Sequence, residues 1–178
     1  MLPILLALAF IAIIFMVIIA GRPDEFTVTR ATNIAAPPEK IFPHVNDLHQ
    51  WQAWSPWAKL DPAALTSFSG ADAGTGAAMA WDGNKKVGAG KMTITESKPG
   101  ELVRLRLDFR KPMQATNTAQ LTFVPEGNQT IVTWSMAGKN NLPGKIFGLF
   151  MDCEKMCGGQ FDIGLANLKS VTESVTEK

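Results

Sequence analysis

Apolar residues change their spacing several times along this chain, and each change marks a boundary. The first twenty residues, MLPILLALAFIAIIFMVIIA, show no polar period: none is charged, and thirteen are Leu, Ile, Phe or Val. As a helix they span roughly 30 Å, the thickness of a bilayer's hydrocarbon core. At about −0.3 to −0.6 kcal/mol per such residue, insertion is favoured by several kcal/mol. The pattern predicts a transmembrane anchor over 1–20, a tether over 21–25 and a folded domain over 26–175. A cleaved signal peptide competes with this reading. Against it, no Lys or Arg precedes the run, the run outlasts the roughly 7–15 apolar residues of a signal, and no A-x-A site follows. A soluble core helix is the third alternative.

Beyond Pro23 the spacing becomes that of a strand. "FTVTRATNIA" (26–35) alternates and is rich in β-branched residues. Pro37-Pro38 then opens a short helix whose apolar side is Ile41 and Phe42, limited by Pro43 and Asn46-Asp47. A second short helix carries Leu48, Trp51 and Trp54 until Ser55-Pro56 ends it. From residue 63 the period returns to two, in segments 64–70, 76–84, 90–97, 101–111, 118–129 and 130–138. The clearest is "ELVRLRLDFRK", with Val103, Leu105, Leu107 and Phe109 on one side and Arg104, Arg106 and Asp108 on the other. Six such strands joined by tight turns predict an antiparallel meander.

The last section is helical. "NNLPGKIFGLF" offers a short helix. After it Phe150, Cys153, Cys157, Phe161, Leu165, Leu168 and Val171 recur at steps of three or four, one stripe on a long helix. A sheet with one apolar face and a helix with one apolar stripe bury each other, so the fold class is α+β. Gly158, Gly159 and Gly164 interrupt that helix at about 1 kcal/mol each relative to Ala. They mark a cavity, a crossing strand or simply a weakly packed helix.

Composition narrows the function. The chain has 178 residues, 46% hydrophobic and 19% charged, with a net charge of +1, enough apolar content for a core and no basic footprint for nucleic acid. Arg22, Arg30 and Lys40 all follow the apolar run, which favours a cytoplasmic domain by the positive-inside rule. Cys153 and Cys157 do not identify the compartment, because four residues apart on a helix is poor disulfide spacing. The reading is a single-pass protein of a bacterial inner membrane, with the side of the domain and the oligomeric state left open.

Candidate chemistry is sparse. Cys153-x3-Cys157 offers two thiolates on one helical face, but no further ligands complete a tetrahedral site, and on an apolar stripe both are small hydrophobes. "GNKKVGAGKMT" lacks the glycine and hydroxyl positions of a phosphate loop, with Lys85 and Met92 standing there. His44 and His49 have Asp47 nearby in sequence but no spacing that defines a catalytic pair. No metal and no cofactor are expected.

The blocks "IAAPPEKIFPHVNDLHQWQAWSPW", "GTGAAMAWDGN", "VGAGKMTITESKPG", "VTWSMAG" and "GGQFDIGLANLK" resemble the START-like polyketide cyclase/dehydrase and lipid-transport superfamily (SRPBCC), in its bacterial branch with an N-terminal membrane segment. The resemblance covers residues 26–172. It implies a helix-grip fold, in which a curved antiparallel sheet wraps a long C-terminal helix around a cavity for apolar or amphipathic molecules. Residues expected to line that cavity are Trp54, Trp57, Met79, Trp81, Met92, Leu105, Leu107, Phe109, Leu121, Phe123, Trp134, Met136, Phe161 and Leu165. Methionine beside indole suits varied apolar guests, although the same positions also serve as plain core. Cyclases of this superfamily use tyrosine, histidine, arginine or acidic groups in the cavity, and this chain has no tyrosine.

Three functions follow from this. The first is a membrane-tethered carrier, sensor or buffer of a lipid or other apolar small molecule. The second is an interaction or stability module for a membrane protein partner. The third is a cyclase or dehydratase using His44, Asp82 and Asp162. Trp51 is expected to be structural, Trp54 and Trp57 to divide between core plug and cavity mouth.

Overall fold

The computed structural model describes residues 2–140, 142, 144–146 and 153–176. Its helices are α1 (Leu2–Ala20), α2 (Pro38–Asn46), α3 (Trp51–Trp54), α4 (Pro56–Leu60) and α5 (Cys153–Thr176); its strands are β1 (Glu25–Ile34), β2 (Leu65–Ser69), β3 (Ala78–Asp82), β4 (Ala89–Lys98), β5 (Leu102–Lys111), β6 (Ala115–Glu126) and β7 (Gln129–Lys139). The α+β class and the meander are as the periodicities predict. One short helix more is present than expected: Pro56 ends α3 but also opens α4, because proline's fixed φ suits a first helical position. Of the helix expected over 140–150, only Leu142 and Gly144–Ile146 lie among the described residues, and these are helical.

The seven strands form one antiparallel sheet in the order β1-β7-β6-β5-β4-β3-β2. Consecutive strands from β2 to β7 are neighbours, whereas β1 crosses to pair with β7, from Glu25↔Lys139 to Ile34↔Thr130. Alternation puts Val28, Ile34, Ile94, Val103, Leu105, Leu121, Phe123, Val132 and Trp134 on the buried face. From the other side come Phe161, Leu165 and Leu168 of α5, buried, with Cys157 and Val171 half-buried beside them. Phe150 and the side chain of Cys153 lie outside the described residues.

Two helical glycines let α5 approach its neighbours. The inward side of β1 carries Arg30, whose guanidinium lies where a side chain at position 158 would stand. One turn to either side of Gly158, Glu154 and Asp162 bind it: Nη2 donates to Glu154 at 2.8 Å and Nε to Asp162 at 3.1 Å. Gly164 faces the rings of Trp134 and Pro56. Around Gly159 no described residue comes within 4 Å of where a side chain would begin. The first two glycines are therefore slots for a crossing strand and an aromatic ring.

Counting only residues whose side chains are described, no helix is long and apolar enough to cross a membrane. The backbone of α1 is nevertheless one unbroken helix of 19 residues with no charged side chain. Its described side chains are all exposed except Ile19.

Candidate ligand-binding interior

The end of α2 explains two of the three clustered tryptophans. A helix leaves its last carbonyls without helical partners, and a buried end needs them satisfied. Here Pro43 O accepts from the Asp47 N–H at 3.1 Å and Asn46 O from the Gly74 N–H at 2.9 Å. The two between them take indoles: Trp54 Nε1 donates to His44 O at 2.9 Å and Trp51 Nε1 to Val45 O at 2.8 Å. Both rings are buried. Trp51 is structural, as expected, and Trp54 joins it as a cap on α2. Asn167 of α5 completes the junction by donating to Trp54 O at 3.0 Å.

Trp134 of β7 is the centre around which these rings assemble. It stacks on Phe161 with centroids 4.2 Å apart and planes at 3°. Trp51, Trp54 and Trp57 each present an edge to it, at 5.9, 5.4 and 5.8 Å. Trp57, half-buried, also meets the edge of Phe161. The fold thus unites Trp54, Trp57, Trp134 and Phe161, four of the residues expected at the cavity. Its other feature is polar: Trp134 is 2% exposed, yet its indole N–H has no hydrogen-bond partner among the described residues. Such a group costs free energy unless something accepts from it.

The other expected residues fall into three places. Leu105, Leu121 and Leu165 are fully buried, and Phe123 sits under α2 with its ring edge-on to Phe42 at 5.8 Å. Met79, Met92 and Met136 form the buried wall toward the α1 end of the sheet. Past them the inward side chains grow more exposed: Leu107, Phe109 and Trp81 are only half-buried. Trp81 packs edge-on to Phe109 at 5.8 Å, filling the space above Gly90, where any side chain would meet its ring. Two amides in this region bond only thioethers in the described set: Asn117 Nδ2 to Met136 Sδ at 3.8 Å, and Gln52 Nε2 to Met79 Sδ at 4.0 Å. Sulfur is a weak acceptor, so the buried Asn117 donor is under-satisfied, whereas Gln52 is exposed and open to water. Sequence reasoning misses Asn117 and Gln52, because an amide carries no periodic signal of its own. A further concavity, of about 430 Å³, opens at the α1 end of the sheet and is lined by Asp108, Phe109, Arg110, Gln114, Ala115, Thr116 and Lys139. Phe109 is its one member among the expected residues.

The polar candidates do not converge. Asp82 is ion-paired with Lys111 at 3.0 Å, and Asp162 with Arg30. Asp47 accepts from the backbone N–H of His49 and pairs with its ring at 2.9 Å, while that ring stacks on Phe68. Burial alone raises the Asp47 pKa, but the His49 contacts outweigh it and hold the carboxyl below its ordinary value. Among the described residues no three His, Cys, Asp or Glu side chains are grouped to hold a metal.

His44 differs, because its Nδ1 is buried without a partner among the described residues, and burial lowers its pKa from 6.5. The folded state therefore holds it neutral while the unfolded chain binds a proton near pH 6.5. The resulting contribution is present above pH 6.5 and is lost as pH falls from there toward the folded-state value. Melting curves at pH 7.5 and 5.5 should show a larger drop for the native chain than for His44→Gln. Equal drops would place the pH dependence elsewhere.

This arrangement, one sheet gripping a C-terminal helix, has counterparts among known proteins. The profile described as polyketide cyclase/dehydrase and lipid transport matches residues 25–173. The chain belongs to that family. Three solved structures illustrate the cyclase/dehydrase and lipid-transport fold it adopts. Protein TTHA0849 of Thermus thermophilus is 16% identical, with a TM-score of 0.62 over 84% of this chain and 99% of its own. Aha1 of Colwellia psychrerythraea, solved as a dimer, is 18% identical, with a TM-score of 0.60 over 83% and 96%. Protein CV1439 of Chromobacterium violaceum is 16% identical, with a TM-score of 0.57 over 85% and 99%. At such identities the likeness is one of fold. No curated protein matches the sequence.

Proposed function

We propose that this family member is a membrane-anchored domain that holds a lipid or other amphipathic small molecule against the inward face of its sheet, as a carrier, sensor or buffer. The observation that carries the reading is the gradient along that face. It runs from solid aromatic packing at Trp134 to a methionine wall and half-buried Leu107 and Phe109, with the Trp134 and Asn117 donors under-satisfied between. An apolar surface with a few donors suits a guest that is mostly hydrocarbon with one oxygen acceptor. Family membership supports the same ligand class. The anchor reading, with residues 1–20 in the bilayer, 21–25 as tether and 26–175 as the domain, is supported by α1: roughly 28 Å long, uncharged, and apolar on every described side.

Native mass spectrometry of the full chain, extracted in mild detergent and incubated with total membrane lipid, tests the ligand reading. The expected spectrum contains a lipid-sized adduct that survives mild activation. A chain that remains bare at saturating lipid would overturn it.

A further inference from the structure

The end of the sheet from which α1 emerges has its own chemistry. Only residues 21–24 separate α1 from β1, at most roughly 17 Å of chain. That tether is pinned, because the Asn140 backbone N–H donates to Asp24 O at 2.8 Å and its Nδ2 to Pro23 O at 3.1 Å. At this same end the sheet has a notch beside the first residues of β6, where β5 continues beyond its Phe109↔Ala115 pair and pairing with β7 begins only at Asn117↔Gly138. The 430 Å³ concavity occupies it, with Arg110 and Lys139 on its rim. Asp108 also lines it, but that carboxylate is already engaged by Arg106 at 2.9 Å and by the Thr116 hydroxyl at 2.8 Å. Neither Arg110 nor Lys139 is ion-paired with a carboxylate among the described residues, although Glu25 stands opposite Lys139 in the β1–β7 register. In the lining of the notch itself these two cations outnumber the one carboxylate, Asp108. Lys85 and Lys86, in the turn that reaches the same end, are unpaired in the same sense. Exposed apolar tips accompany them: Leu65 at the start of β2, 77% exposed, and Met113 beside the notch, 39% exposed. Cations interleaved with apolar tips, at the end of the sheet joined by a short tether to a helix built for hydrocarbon, match a bilayer's headgroup layer.

We propose that this notch binds the headgroup of an anionic phospholipid, with Arg110 and Lys139 receiving the phosphate, so that the domain is seated on the membrane rather than swinging from it. The inference rests on the reading of α1 as an anchor. It concerns a site on the outer rim of the sheet, distinct from the ligand interior, with Phe109 bordering both.

The test uses the full chain in a non-ionic detergent, with melting followed by tryptophan fluorescence. Short-chain phosphatidylglycerol, phosphatidylcholine with the same tails, and inorganic phosphate are added separately. Phosphatidylglycerol at ten times its dissociation constant should raise the midpoint by on the order of 3–6 °C. Phosphatidylcholine and phosphate should fall well short of that. The double variant Arg110→Gln/Lys139→Gln, altered only at exposed positions, should melt normally and lose the shift. An equal shift with phosphatidylcholine, a full shift with phosphate alone, or an undiminished shift in the variant would each overturn the proposal. Alkaline carbonate extraction of membranes from the same cells reports on the anchor separately. Release of the chain would remove the anchor reading even where the phosphatidylglycerol shift persists. Retention without any shift would remove the headgroup site alone.

Discussion

Trp54→Ala should lower the stability of the domain by about 3–5 kcal/mol, the range for emptying a fully buried large aromatic site. The position has 0% exposure, and its ring touches both Trp51 and Trp134. Its indole also supplies the hydrogen bond to His44 O, so truncation strands a carbonyl at the buried end of α2. For a domain of this size the melting midpoint should fall on the order of 10 °C. Trp57→Ala provides the contrast. That ring is half-buried, and its ring–ring contacts among the described residues are edge contacts with Trp134 and Phe161. Its loss should cost much less in melting but reduce lipid retention in the mass-spectrometric measurement. The opposite pairing of effects would make Trp57 scaffold and Trp54 the ligand contact.

The second large effect is a change of sign between two glycines five residues apart. Alanine normally gains about 1 kcal/mol over glycine within a helix. At Gly159 nothing among the described residues lies within reach of the added methyl, so Gly159→Ala should stabilise by roughly that amount. At Gly164 the methyl would stand 2.7 Å from Cζ3 of Trp134 and 3.1 Å from Cδ of Pro56. Trp134 cannot retreat, with Phe161 on its face and three indole edges around it. Overpacking of about 1–3 kcal/mol outweighs the helical gain, and Gly164→Ala should be destabilising overall. Denaturant unfolding of the two variants beside the native chain decides it. A stabilising Gly164→Ala would show that α5 can lift off Trp134, and that the aromatic stack is looser than its 4.2 Å spacing implies.

These predictions also separate what was readable in the chain from what was not. The long helix was legible because Phe161, Leu165 and Leu168 follow its period, and the strands because Val103, Leu105, Leu121 and Trp134 follow theirs. Their sidedness implied a sheet against a helix, and the tryptophan run was legible as a junction. The partners of those tryptophans were not. A carbonyl acceptor such as Val45 O exists at every residue, so its selection depends on where the helix stops. Arg30 shows the same limit. On a strand it is an ordinary polar alternation, and its inward position matters only because Gly158 leaves room and Glu154 and Asp162 flank it.

Local periodicity thus determined the elements, their inward faces, the α+β class and the uncharged apolar character of the first helix, since each depends on side chains a few positions apart. Tertiary structure alone decided that β1 joins β7, that Trp134 gathers four rings while its own N–H finds no partner among the described residues, and that Arg110 and Lys139 share a notch at the end of the sheet where α1 joins it. Those facts, like the Arg30–Asp162 pair 132 positions apart, depend on residues distant in sequence. Over such separations only the closing of the sheet and the seating of α5 determine which side chains meet.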